Sequence, residues 1–198
     1  MAPPIEQVTA QGYDLQFGTN FLGHYYLTTL LLPALLAGAK SSADGKARVV
    51  NTSSMAHIAG ALDYNTFKDS PKRKKSSTIN LYNQSKFANI VFSNELARRY
   101  GDQGIVSTAL NPGNLRSDLQ RHVTLPGAIA ALVHKLFLHP TPLGALTQLY
   151  AGTSVEGKTF NGKYLIPWAR IGSAISAAND PQQSKQLWEW AEEQVASI

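Results

Sequence analysis

Two places in the sequence put a tyrosine four residues before a lysine, Tyr64–Lys68 and Tyr82–Lys86. A phenol has an ordinary pKa near 10, so it works as an acid or base at neutral pH only beside a cation that stabilises the phenolate. Tyr82 opens an amphipathic segment, and on a helix Lys86 lies one turn further on the same face. Tyr64 precedes Pro71 in a polar stretch, and we interpret it as a surface aromatic.

A hydroxyl group is available nearby if the chain folds as an α/β protein. Residues 47–54 form a short β-branched run that ends in Ser53 and Ser54, which is typical of a buried strand. The carboxyl ends of parallel strands are where such sheets carry their sites. Ser54, and less so Ser53, is therefore a candidate to hold a carbonyl oxygen. The alternative is that Tyr82 only begins a helix and Lys86 is solvated.

The elements that would position these residues alternate along the chain. Helical periodicity predicts helices, and short apolar runs predict strands. The helices are expected at 13–36, with Pro33 near the end, and at 83–100, 125–138, 143–152 and 181–195; strands at 47–54, 105–110 and 162–166; and a polar loop at 61–80. Alternating strands and helices favour a parallel sheet. The helix over 128–138, with Trp168, is either a packed helix or the lining of a substrate pocket or membrane surface.

Composition removes several classes of function. The 198 residues, 43% hydrophobic and 16% charged, fit a single domain over 1–198. The absence of Cys excludes disulfides and thiolate sites, and the five His show no metal-ligand spacing, so no metal is expected. The net charge of +5 rests largely on residues 72–75, which we interpret as one basic loop rather than a nucleic-acid surface. No apolar run reaches transmembrane length and no secretory signal is visible, so we expect a cytoplasmic protein.

Four stretches in the same order resemble one known family. They are Phe17–His24 (FGTNFLGH), Ala47–Ser54 (ARVVNTSS), Tyr82–Asn89 (YNQSKFAN) and Asn111–Ser117 (NPGNLRS). This order is similar to that of the short-chain dehydrogenase/reductases. The residues of the third stretch most resemble those of the branch that contains retinol-dehydrogenase-like and fungal secondary-metabolism reductases.

The resemblance implies a role for each site residue. Tyr82 would be the general acid/base, Lys86 would lower the pKa of Tyr82 and bind the nicotinamide ribose, Ser54 would bind the substrate oxygen, and Asn20 would complete a water relay to Lys86. The cofactor, NADP or NAD, would also contact Pro112, Gly113, Leu115 and Ser117. The substrate would be an apolar carbonyl compound or alcohol. The helices over 13–36 and 83–100 would form a homodimer.

Two departures from the family are visible. The 28 positions from Ser54 to Tyr82 exceed the commonest spacing, and the chain contains no Gly-x-Gly turn for a cofactor pyrophosphate. We therefore expect an N-terminally truncated, Rossmann-type doubly wound parallel sheet with flanking helices. The strand that ends near Ser54 would lie at its edge.

Three other functions remain open at this point. The chain could be a catalytically silent, subunit-like relative of the family. Gly152–Thr159 matches a phosphate-binding loop, but the expected order of elements favours a surface turn. His57, three residues after Ser54, would suit a hydrolase, although no Gly-x-Ser-x-Gly elbow is present.

Overall fold

The computed structural model of the chain describes residues 1–120, 122 and 137–196. Within these residues one sheet of four strands has the order β1-β2-β3-β4. The strands are β1 Ala47–Thr52, β2 Ile105–Leu110, β3 Tyr164–Ile166 and β4 Arg170–Gly172. Strands β1, β2 and β3 are parallel, and β4 pairs antiparallel with β3. The predicted Rossmann-type parallel sheet is confirmed, with β1 at one edge of the described strands.

In the described part of the chain, five helices accompany this sheet. They are α1 Leu15–Ser41, α2 Pro71–Lys75, α3 Thr78–Tyr100, α4 Thr141–Thr153 and α5 Pro181–Val195. The first is interrupted by a π-helical turn at Gly18–Leu22. Shorter 3₁₀ turns include Met55–Ala59, which follows β1, and Glu156–Thr159, which follows α4.

Local sequence explains where helices α3 and α5 begin. The Ser77 hydroxyl accepts a hydrogen bond from the Asn80 N–H at 3.1 Å and caps α3. Asp180 caps α5, and Pro181 occupies its first turn, where a proline costs no helical hydrogen bond. Helix α3 therefore starts at Thr78, five residues before the predicted start, because its first turn is set by the cap and not by apolar periodicity.

The sheet carries an apolar layer on each face. Because side chains alternate along a strand, Ala109 and Leu110 point to opposite sides of β2. Ala109 joins the larger cluster with α1, α3 and α5, whose members include Phe21, Phe87 and Trp188. Leu110 joins a smaller cluster with Ala151 of α4, Phe160 and Leu165. Helices on both faces are the doubly wound arrangement expected from the sequence.

The predicted polar loop at 61–80 is wrong. This segment contains a 3₁₀ turn at Tyr64–Thr66, helix α2 and the first turn of α3. Phe67 is fully buried and stacks on Phe17 of α1, with ring centroids 3.8 Å apart. Tyr64 is 37% exposed, which agrees with its interpretation as a surface aromatic. The buried Phe67 ring helps to hold this polar segment on the core, and sequence periodicity does not reveal it.

The prediction that residues 72–75 form one basic surface loop is also wrong, because these residues are helical and Arg73 is buried. Arg73 is 1% exposed, and its guanidinium contacts the Asp14 carboxylate at 2.9 Å and the Asp69 carboxylate at 3.2 Å. It also donates to the Gln7 carbonyl at 2.7 Å. Lys72 is likewise paired, with Asp63. Arg73 therefore ties three segments together inside the protein instead of adding to a free basic surface.

Two further predictions need correction, and one lies outside the described residues. Strand β4 was not expected, because three residues closed back on β3 by a tight turn give no periodic signal. Helix α1 continues to Ser41, past Pro33, which is exposed, so solvent can replace the hydrogen bond that proline lacks. The helix predicted over 125–138 falls almost entirely outside the described residues.

Helix α1 is long and apolar enough, by length and composition, to cross a membrane. No membrane-spanning segment was expected here, because Pro33 divides the apolar run of this helix. Phe17, Phe21 and Tyr25 of this helix are buried in the main core cluster. One face of the helix is therefore packed on the core, while 22% of its apolar window is buried in all.

Candidate active site

The site lies at the carboxyl ends of β1 and β2. The two strands pair in parallel, with Thr52 opposite Leu110, so the residues that follow each strand emerge at one edge of the sheet. Ser53 and Ser54 follow β1, and Asn111 follows β2. The start of α3, with Tyr82, packs against the 3₁₀ turn that follows Ser54.

The two serines have different surroundings. The Ser53 hydroxyl is buried and donates to the Lys86 carbonyl at 2.7 Å, which ties β1 to α3. Ser54 is half-buried, and its hydroxyl accepts from the Ala56 N–H at 3.1 Å. The Ser54 side chain also shares a hydrogen bond with Tyr82. Ser54, the preferred candidate from the sequence, is thus the serine placed beside the phenol.

Burial governs the acidity of Tyr82. The side chain is 4% exposed, and burial raises the pKa of its phenol, while the hydrogen bond from Ser54 acts in the opposite direction. The net pKa is above the ordinary value, so the phenol is protonated at neutral pH. The Lys86 ammonium is directed to a backbone carbonyl, and its effect on the pKa of Tyr82 stays a prediction.

Lys86 lies one helical turn after Tyr82, as predicted. Its Nζ is 5.9 Å from the centroid of the Tyr82 ring and donates to the Thr52 carbonyl at 3.1 Å. The Asn89 side-chain amide donates to the same carbonyl at 3.0 Å. Burial lowers the pKa of Lys86 to about 8, because the ammonium form is poorly solvated there. Burial and the charge of Lys86 also lower the pKa of His24.

Asn20 occupies the π-helical turn of α1, a kind of irregularity often found at functional sites. Its Nδ2 donates to the Ser85 Oγ at 3.0 Å, and Ser85 in turn donates to the Tyr82 carbonyl at 2.7 Å. Asn20 is therefore fixed against α3 at Ser85, which lies between Tyr82 and Lys86 in the chain. No direct bond joins Asn20 to Lys86 among these contacts, and the water relay stays a prediction.

The turn after β2 closes the site from the other side. The Asn111 side chain accepts from the Gly113 N–H at 3.0 Å, and Gly113 has a φ of +91°, which favours glycine. A Cβ on Gly113 would lie 2.8 Å from the Trp168 ring. Leu115 packs on Gly144 of α4, and Ser117 is exposed.

Three adjoining cavities meet around Gly113. The first, about 480 Å³, is lined by Asn20, Ser54, Tyr82, Lys86, Pro112 and Gly113 among others. The second, about 310 Å³, adds Leu115 and Ser117 to this wall. The third, about 420 Å³, is mainly apolar and is lined by Met55, Ile58, Tyr164, Ile166 and Trp168. All the predicted site residues thus line the first two cavities, and the third extends beyond Ser54.

Two residues of the third cavity were named from the sequence in other contexts. Trp168, which was offered with the 128–138 helix as a possible pocket lining, lies in the turn between β3 and β4 and lines this cavity. His57 is 2% exposed and bonds to the backbone of Ser54. Its position three residues after Ser54 was the available signal, but the hydrolase hypothesis to which it pointed lacks support in the geometry.

The segment that matches a phosphate-binding loop has the wrong neighbours. Helix α4 precedes it, and Glu156–Thr159 is a 3₁₀ turn that leads to β3. A phosphate loop needs a strand before it and a helix after it. The surface-turn interpretation is therefore the one that the fold supports.

Curated proteins with similar sequences include members of the family that the four sequence stretches resemble. No family model matches the chain. A protein named short-chain dehydrogenase/reductase from Armillaria gallica is 54% identical over 97% of this chain and 60% of its own length. Human retinol dehydrogenase 13 is 34% identical over 91% of this chain and 53% of its own length. The chain spans about three fifths of the length of three fungal relatives named short-chain dehydrogenase/reductase.

Solved structures share the fold. An uncharacterised protein from Mycobacterium paratuberculosis superposes with a TM-score of 0.70 at 28% identity, covering 98% of this chain and 62% of its own. The NADPH-bound carbonyl reductase from chicken fatty liver has a TM-score of 0.58 at 19% identity, covering 88% of this chain and 62% of its own. The second likeness concerns the fold alone.

Proposed function

Because the chain belongs to the short-chain dehydrogenase/reductase family, we propose that it is an NAD(P)-dependent oxidoreductase that interconverts a carbonyl group and a primary or secondary alcohol. The observation that carries the proposal is the grouping of Ser54, Tyr82 and Lys86 in one cavity. A hydroxyl that holds oxygen, a phenol that exchanges a proton and a fixed cation are the groups that carbonyl reduction needs.

The proton chemistry of the proposed reaction rests on Tyr82. In the direction of reduction, the Ser54 hydroxyl donates to the substrate oxygen, and the Tyr82 Oη transfers its proton to the same oxygen as negative charge develops there. The Lys86 ammonium, one turn away, stabilises the phenolate that remains. In the direction of oxidation, the phenolate takes the proton back from the alcohol.

The residues around the first cavity fit a nicotinamide group. Lys86 offers ammonium donors, Asn20 and Ser54 offer polar groups, and Gly113 brings backbone close without a side chain. We propose that Asn20, Tyr82, Lys86, Pro112, Gly113, Leu115 and Ser117 hold NADP or NAD. The bound cofactor would supply hydride to the carbonyl carbon. The carbonyl reductase that shares this fold binds NADPH.

The substrate class follows from the third cavity. Its walls are largely apolar and aromatic, and it begins at Met55, next to Ser54. We therefore propose an apolar small molecule whose carbonyl reaches Ser54 while its body lies against Ile58 and Trp168. The resemblance to fungal reductases extends the proposal to secondary metabolism.

Cofactor binding tests the proposal directly. Purified chain is titrated with NADPH while energy transfer from tryptophan to the reduced nicotinamide is followed by fluorescence. We expect saturable binding that is weakened by Lys86→Met and unchanged by Lys158→Met in the surface turn. Absence of binding at millimolar NADPH would overturn the proposal and favour the alternative, a catalytically silent relative. Loss of binding in Lys158→Met would instead point to the phosphate-loop match.

A further inference from the structure

His57 makes a hydrogen bond through each ring nitrogen, although it is 2% exposed. Its Nδ1 is 2.7 Å from the Ser54 carbonyl oxygen and 3.3 Å from the Tyr164 hydroxyl. Its Nε2 is 3.2 Å from the backbone nitrogen of Ile175. The ring therefore joins the residue after β1 to strand β3 and to the chain that precedes the 3₁₀ turn Ser176–Asn179.

These partners determine where the proton of the imidazole lies. The Ile175 nitrogen carries a hydrogen, so Nε2 must accept and cannot itself be protonated. The Ser54 carbonyl oxygen can only accept, so Nδ1 must carry the proton. His57 is thus a neutral imidazole with a single tautomer. Burial lowers its pKa, which favours the same uncharged form.

The 3₁₀ turn that contains His57 is held against helix α3 at its C-terminal end. A Cβ on Gly60 would lie 2.5 Å from the Asn83 carbonyl oxygen, so the chain passes directly against α3 one residue after Tyr82. The Ser54 carbonyl accepts a second bond, from the His57 N–H, at 3.2 Å. The Ser54 hydroxyl itself accepts from the Ala56 N–H, and the bond from the imidazole adds a side-chain hold on the Ser54 backbone that carries this hydroxyl.

We propose that His57 is a positioning residue that fixes the backbone of Ser54, and hence its hydroxyl, by donating from Nδ1 while Nε2 is held by the Ile175 N–H. The inference rests on the proposed function, because Ser54 is assigned there to the substrate oxygen. It differs from a core histidine that only fills space, since each ring nitrogen has a separate required partner.

A matched pair of variants separates positioning from packing. The amide nitrogen of asparagine reaches the place of Nδ1, whereas that of glutamine reaches the place of Nε2. We expect His57→Asn to keep most of the turnover of an apolar aldehyde with NADPH. We expect His57→Gln to lower kcat by roughly 10- to 100-fold, the loss that follows from small misplacement of a catalytic group, with the NADPH dissociation constant unchanged. Equal kcat values for the two variants would overturn the proposal.

Two spectroscopic measurements do not depend on turnover. Long-range ¹H–¹⁵N correlation spectra of the wild-type chain identify the protonated ring nitrogen, and a proton on Nε2 at neutral pH would overturn the proposal. An NMR titration of Tyr82 reports its bond to Ser54, and we expect His57→Gln to raise the titration midpoint as Ser54→Ala does. A midpoint that moves in Ser54→Ala alone would contradict the role of His57. If the wild type binds no NADPH, the proposed function fails, while these two measurements still decide whether His57 positions Ser54.

Discussion

Tyr82 and Lys86 lie one helical turn apart, and burial acts on their pKa values in opposite directions. The phenol is harder to ionise than in water, and the ammonium is easier to neutralise, with a pKa of about 8. Burial therefore disfavours the charged form of each side chain before any ligand binds. Such paired shifts are typical of residues selected for chemistry and not for stability.

The Lys86 shift predicts how stability depends on pH. The unfolded chain keeps this lysine protonated up to its ordinary pKa of 10.5, whereas the folded chain loses the proton near pH 8. Below pH 8 the full cost of the buried ammonium is present, and stability from this group rises between about pH 8 and 10.5. We expect Lys86→Met to stabilise the protein at pH 7 by about 1 to 2 kcal/mol, since Asn89 still satisfies the Thr52 carbonyl.

Urea unfolding at pH 7 and pH 10 checks this expectation. The advantage of Lys86→Met should shrink at the higher pH, because the wild-type lysine is then neutral. A variant that is less stable than the wild type at pH 7, or an advantage that grows with pH, would contradict it.

The second tyrosine motif provides a control for the role of Tyr82. We expect Tyr82→Phe to reduce turnover by about 10²-fold or more, since it removes the acid/base group, while NADPH affinity stays within about twofold. Tyr64→Phe keeps the ring contact with Phe67 and should change neither quantity. Steady-state kinetics and NADPH titration of the two variants measure both. Comparable turnover in the two variants would refute the assignment of Tyr82.

At the scale of elements, the segment between Ser54 and Tyr82 depends on one buried ion pair. Arg73 of α2 and Asp14, the cap of α1, are 1% and 2% exposed, and Asp14 also accepts from the backbone N–H groups of Gln16 and Phe17. Removing one partner leaves a buried charge without its counter-ion, which costs much more than the net worth of the pair.

We expect Arg73→Met to lower the free energy of unfolding by about 3 to 5 kcal/mol. Lys75→Met, two residues away on the same short helix, should change it by less than about 0.5 kcal/mol, as is usual for exposed sites. Chemical denaturation of both variants measures the difference. A loss below about 1 kcal/mol in Arg73→Met would show that the guanidinium is not the tie that holds this segment.

The elements with strong local signals were predicted well, and those fixed by single long-range contacts were not. Strand β2 and helix α5 have the predicted bounds, because a fully buried strand and a capped amphipathic helix are visible in sequence alone. The segment over 61–80 depends on the burial of Phe67 and Arg73, and β4 depends on a tight turn. Neither contact leaves a periodic pattern that could be found before folding.

The grouping of the candidate site residues was predictable for a different reason. Ser54, Tyr82, Lys86 and Asn20 are recognisable by their order, and a parallel sheet brings the ends of its strands together. Physical reasoning from sequence could not assign the raised pKa of Tyr82 or the tautomer of His57. The first depends on how deeply the phenol is buried in the folded chain, and the second depends on the backbone carbonyl of Ser54 that the imidazole reaches.

At the scale of the whole molecule, the two helices assigned to a homodimer differ in exposure. Most of α3 is buried against the sheet, the turn Met55–Ala59 and α5. Helix α1 instead presents Leu27, Leu30 and Leu31, which are 54%, 61% and 47% exposed. Three leucines at helical spacing form an apolar stripe, so the proposed dimer should rely mainly on α1.

Charge on this stripe tests the dimer. We expect the wild type to sediment as a dimer and Leu30→Glu as a monomer, because a carboxylate cannot be buried there without a partner. Leu149→Glu, which changes a leucine of α4 that is 56% exposed, should leave the dimer intact. Sedimentation velocity of the three proteins gives the answer. A monomeric wild type, or a dimer that survives Leu30→Glu, would exclude α1 as the interface.

The register of the sheet has a consequence for the time course of folding. Ala47 pairs with Ile105, and Ala109 pairs with Tyr164, so each parallel ladder joins residues more than fifty positions apart. Helix α3 forms from local contacts, whereas the ladders must wait for long loops to close, and chains of this topology fold slowly. During that delay β1 lacks its only described strand partner, and its exposed peptide groups can pair with another chain. Refolding should therefore become less efficient as protein concentration rises.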